Sequence, residues 1–168
     1  MLSSIFTVSL AQSAIELGCI YALVALALFV SFSILNIADL STDGCFTLGC
    51  AVCAMVTLRG HPFLGLLAAM GAGVASGFVT AFLQTRLGVE SILAGIIVNT
   101  ALYSVNIAVM GGSSLINMNR TTTVFTMMKD ALSGTPLKGR EDIIIAAIAV
   151  ILVIIILVFF LKTRLGLA

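Results

Sequence analysis

Charge is what this sequence has least of. Eight basic and seven acidic residues make up 9% of its 168 positions, where a soluble domain carries about 25%. That shortage excludes an ordinary water-soluble globule. The net charge of +1 excludes both a basic field for nucleic acid and an acidic tail for a cationic partner. Histidine occurs once, at His61, beside Arg59 and Pro62 in a short turn without the carboxylates that a metal site with one histidine would need. No G-x-x-x-x-G-K-[ST] loop is present, so ATP, if used, is hydrolysed on another chain. No nucleophile has a base in reach, so an enzyme is the least expected class and no catalytic or metal residue is assigned. No Lys or Arg precedes Arg59. The basic region of a cleavable signal peptide is therefore missing, and the first apolar run is expected to stay in the mature protein.

Apolar residues are abundant instead, at 61% with a mean hydropathy of +1.25. One buried core cannot take up so much apolar surface, so the solvent must be lipid. A bilayer core of about 30 Å takes about 20 helical residues. Runs with few or no charges place spans over about 14–35, 62–83, 91–112 and 143–161. The run 44–58 has only 15 residues, some 22 Å at about 1.5 Å per residue, and crosses only with help from its flank. The expected fold is all-α: a single transmembrane domain over 1–168, a polytopic helical bundle of about five transmembrane helices with a broken second helix region. The loop 113–142 carries Arg120, Lys129, Lys138 and Arg140. Within it Val124, Phe125, Met128, Ala131 and Leu132 recur at helical spacing before Gly134, which predicts a short helix on the interface.

Cys19, Cys45, Cys50 and Cys53 fall within or beside the first two spans, and the lone C-x-x-C at 50–53 reads as small packing residues. In the third span Gly65, Ala69, Gly73, Gly77 and Ala81 repeat every four residues, which predicts a groove for close helix packing. Glu16, one turn into its span, reads as interfacial.

The polar stretch Asn36, Asp39, Ser41, Thr42, Asp43 joins a full span to the short one. A carboxylate at mid-bilayer costs about 2.5 to 3.5 kcal/mol, so a break buried there must line a cavity or find protein partners. Discontinuous helices of this kind occur at transporter sites. The alternative is a solvated turn capped by Ser41 or Asp43. In the fourth span Asn99, Tyr103 and Asn106 share one helical face, as interhelical hydrogen-bonding groups or as a polar track.

The run GCIYALVALALFVSFSILNIADLSTDGCFTLGCAVCA resembles the opening of the permease subunits of ABC importers for branched-chain amino acids and simple sugars. LNIADLSTDG, followed by LAGIIVNTALYSVN and MGGSS, is most similar to the tryptophan or tyrosine importer branch. KTRLGLA resembles the family's entry to a coupling helix. The sequence departs from many members in Asn36-Ile37-Ala38-Asp39 and Asp43-Gly44, where N-F-A-H-G is common. It reads as the N-terminal half of a type II importer-like permease.

The resemblance implies a multi-pass protein of a bacterial-type cell membrane that moves a small polar solute, expected to be an amino acid. It implies a second permease copy, cytoplasmic ABC ATPase subunits and an extracytoplasmic substrate-binding protein, with no cofactor on this chain. Lys162, Thr163, Arg164 and Gly166 would then begin the ATPase-docking segment. Two other functions stay open on the residues alone: an ion-coupled secondary carrier using Asp39 and Asp43, and a membrane scaffold without a pathway. The basic residues Arg59, Arg120, Lys129, Lys138 and Arg140 share one side and Arg86, Lys162 and Arg164 the other, which mildly favours the first as cytoplasmic. The resemblance implies the reverse, and that orientation is adopted, because four of the first five lie in one long loop with three acids.

Overall fold

A computed structural model describes residues 8–33, 36–119, 121–132 and 141–163. Among them there are six helices and no strand: α1 Val8–Ser33, α2 Thr42–Leu58, α3 Pro62–Arg86, α4 Ser91–Val109, α5 Val124–Leu132 and α6 Glu141–Leu161. Segments of α1, α3, α4 and α6 are long and apolar enough to cross a membrane, and α2 is a shorter apolar helix. The chain is thus a polytopic membrane helical protein. The helix α5 stands where the spacing in the long loop predicts one. Gly134 lies outside the described residues.

The helix ends follow from local chemistry. Pro62 occupies the first turn of α3, where its missing N–H costs nothing. At the end of α4, Gly112 N–H reaches Ile107 O (2.8 Å) and Gly111 N–H reaches Ala108 O (3.1 Å), with Gly111 at φ +72°. This is the paired closure that a left-handed residue permits. After α3, Val89 N–H returns to Leu83 O across Gly88 at φ +66°. After α1, Ile37 N–H returns to Ser31 O in the same way, but the left-handed residue there is Asn36, at φ +52°. Asparagine tolerates that conformation better than other residues with a side chain.

The chain divides into two units, Leu26–Val124 and a second formed by Met1–Ala25 with Phe125–Ala168. In the second, Ile145 and Ala146 are the buried apolar residues of α6. In the first, α2 packs on α3 and α4, and α3 on α4. Its apolar centre is Leu48 of α2 with Val98 and Leu102 of α4, bordered by Ala72 and Leu83 of α3. Polar side chains are also inside: Ser41, Thr57, Ser76, Thr80 and Asn106 are buried, whereas Val74 and Phe78 are 74% and 69% exposed. Polar groups inward and large apolar groups outward is the arrangement that lipid selects.

Three glycines set how closely these helices approach. A Cβ at Gly65 would lie 2.8 Å from Thr57 Oγ1 and 2.9 Å from Cys53 O of α2. One at Gly95 would lie 2.7 Å from the amide nitrogen of Leu40, and one at Gly44 would strike Asn99. Among the described residues of the unit Leu26–Val124, the small-residue stripe of α3 packs in its first half. Gly65 is buried and Ala69 meets Gly49, but among the described residues nothing lies within 4 Å of a Cβ at Gly73 or Gly77, and Ala81 is exposed. The reason is angular. A repeat of four drifts about 40° per step against 3.6 residues per turn. The face that packs therefore moves to Ala72, Ser76, Thr80 and Leu83.

Candidate functional site

The chain between α1 and α2 is non-helical from 36 to 41, and the side chains of Asp39 and Ser41 are bonded within the protein. Asp39 Oδ1 accepts from Ser41 N–H (2.8 Å) and from Ser41 Oγ (2.7 Å), and Thr42 Oγ1 donates to Asp39 O (3.2 Å). Ser41 is fully buried, with its hydroxyl 3.1 Å from that of Thr80, which in turn lies 3.2 Å from Ser76 O. Ser41 has committed its single proton to Asp39, so Thr80 is the donor whenever the Ser41–Thr80 bond forms. Ser41 holds the N-cap position of α2 without a side-chain cap bond, because its hydroxyl is occupied in this network.

The network also fixes the depth of the break. Ser41 is level with Thr80, six residues before the last residue of α3, and Leu40 lies against Gly95, four residues into α4. At 1.5 Å per residue, the break is sunk about 6 to 9 Å below the ends of its neighbours. Ser91 Oγ reaches back to Ala38 O (3.5 Å) and ties α4's first turn to the same segment.

Because α2 starts beside the middle of α4, a polar cleft of about 370 Å³ opens between them, a size in the range of small-molecule sites. Asp43, Gly44 and Thr47 line it from α2, and Asn99, Thr100, Tyr103 and Asn106 from α4. The hydroxyl protons of Thr47 and Thr100 are donated to their own helices, at Asp43 O (2.9 Å) and Ile96 O (2.8 Å). Asn106 is 6% exposed and its Oδ1 accepts no hydrogen bond. The Asp43 carboxylate meets no hydrogen-bond or ion-pair partner among the described residues. No group of three metal-ligating side chains occurs among them either.

The cleft thus gathers four of the polar residues singled out from the sequence: Asp43, Asn99, Tyr103 and Asn106. It leaves out Asn36, which closes α1, and Asp39, Ser41 and Thr42, which build the turn. Thr47, Thr100, Ser76 and Thr80 were not singled out, although Thr47 follows Asp43 by one helical turn and Ser76–Thr80 is a polar pair at the same spacing. Lys162 and Thr163 lie just past α6, both exposed, their amides bonded to Val158 O and Phe160 O. Arg164 and Gly166 lie outside the described residues.

A sunken helix break and a polar cleft among apolar helices long enough to cross a membrane define a multi-pass membrane protein. The chain belongs to the family of permease components of branched-chain amino acid transport systems, which it matches over residues 10–168. It is 33% identical over 97 residues to a tyrosine transport system permease protein of Clostridioides difficile (strain R20291), covering 57% of this chain and 33% of that one. It is 37% identical over 98 residues to the uncharacterised protein RP368 of Rickettsia prowazekii (strain Madrid E), covering 58% of this chain and 35% of that one. The matched stretch is about a third of the length of each curated relative. No solved structure matches the chain.

Proposed function

We propose that this chain forms part of the transmembrane subunit of an ABC importer that carries a small, amino-acid-like solute across the cell membrane. The observation that carries the reading is the family match along nearly the whole chain. The α2–α4 cleft supports it, since polar side chains grouped on apolar helices need water or a solute to face. The amino-acid class rests on the family's description and on the relative described as a tyrosine transport system permease. In this reading the ATPase sits on a partner subunit that meets the segment from Lys162 to Gly166. A second permease copy completes the pathway, and an extracytoplasmic binding protein delivers the solute. The ATPase biases the permease between two states for which the solute has different affinities.

Reconstituted vesicles test this directly. With the ATPase and binding protein present, uptake of labelled amino acids should require ATP. Uptake driven by an ion gradient without nucleotide would instead favour the secondary carrier, and an absence of both would favour a scaffold.

A further inference from the structure

Resting on that reading of the cleft as a solute site, we infer that its occupant presents a primary ammonium group, recognised by the carboxylate of Asp43. Asp43 is the one charged side chain among the seven lining residues, and among the described residues no lysine, arginine or histidine lines the cleft with it. The first turn of α2 offsets part of the charge through its exposed N–H groups. The carboxylate is still left facing the cleft, whereas that of Asp39 is occupied by the two donors of Ser41.

Two of the neutral lining residues add acceptors. Thr47 and Thr100 have spent their protons on Asp43 O and Ile96 O, so their hydroxyl oxygens meet the cleft as acceptors only. Asn106 keeps a buried oxygen with no donor, beside an amide NH2 that donates. Asn99, Tyr103 and Asn106 bring donors as well as acceptors, so the sign of the site is set by its one negative charge, which suits a positively charged group with N–H donors. A carboxylate or phosphate there would meet Asp43 with like charge. A bare metal ion would need several oxygens converging on one short radius, whereas these are spread over two helices around about 370 Å³.

The test uses the full chain in lipid vesicles with Cys19, Cys45, Cys50 and Cys53 changed to alanine and Thr47→Cys as reporter. Labelling by a small neutral thiol reagent is timed in the presence of butylammonium, butanamide or butyrate, which share a size and differ in charge. Butylammonium should slow the reaction roughly tenfold more than the other two, the ratio that about 1.4 kcal/mol produces. Adding Asp43→Asn should erase the difference. Equal protection by butanamide or butyrate would overturn the inference, as would a preference that survives Asp43→Asn. Protection by sodium or potassium chloride at the same concentration would assign the site to an inorganic cation and overturn it too. The comparison of the three compounds needs no Asp43 variant, so poor folding of Asp43→Asn would not blunt it. No ATPase is involved, so a charge preference without ATP-driven uptake would sink only the importer reading. ATP-driven uptake without charge preference would sink only this inference.

Discussion

At the scale of single residues, the structure separates positions that look alike in the sequence. Gly65 and Gly95 each have backbone or hydroxyl atoms under 3 Å from where a Cβ would stand, while Gly73 and Gly77 have none within 4 Å. Gly95→Ala and Gly65→Ala should each cost about 1 to 3 kcal/mol, the usual penalty of overpacking. Gly73→Ala and Gly77→Ala should be neutral or gain up to about 1 kcal/mol in helix propensity. Denaturation in mixed micelles, read by circular dichroism, compares the four, and equal losses at all of them would refute the close contacts described for α3. Asn36 provides a second comparison. With φ at +52°, Asn36→Gly should be tolerated and Asn36→Val should cost about 1 to 2 kcal/mol. The two aspartates of the break differ in the same local way. Asp39 is bonded by Ser41, so Ser41→Ala should lower stability by about 1 to 2 kcal/mol through loss of a charge-assisted bond. Removing the Asp43 carboxyl breaks no such bond.

At the scale of elements, the spans were legible because intramembrane charge is expensive, so the gaps between charged residues mark where helices run. The break was legible because 15 apolar residues fall short of a bilayer, and half of the cleft because Asn99, Tyr103 and Asn106 recur at helical spacing. Other features depend on geometry that spacing does not contain. Which carboxylate stays open is decided by the turn at 39–41, and the reach of the glycine stripe by the drift of a four-residue repeat around a helix of 3.6. The pairing of Ser41 with Thr80 joins residues 39 apart. Cysteine replacement along 36–44 in the cysteine-free chain should therefore give a pattern, not a plateau. Asn36 and Asp43, both exposed, should react with a bulky impermeant reagent, while Ser41 and Gly44, both buried, should not. Uniform reactivity at all nine positions would restore the solvated turn.

At the scale of the whole molecule, the exposed surface of α4 is of two kinds. Ile97 and Val105 on α4 are 46% and 44% exposed and apolar, as lipid-facing groups should be. Thr100 and Tyr103 on the same helix are also exposed, yet line a cleft with Asp43 and Asn106. If that cleft is part of a solute pathway it holds water, and the face of Ile97 and Val105 does not. The most direct measurement is a cysteine scan of α4 in membranes, with a small, charged, membrane-impermeant thiol reagent that reacts only where water reaches. Positions 99, 100, 103 and 106 should react, and 97, 101, 105 and 108, exposed on the opposite face of the helix, should stay silent. Silence at the first four positions would mean that the cleft is closed by packing or lipid, and would contradict a permease with its passage along α2 and α4.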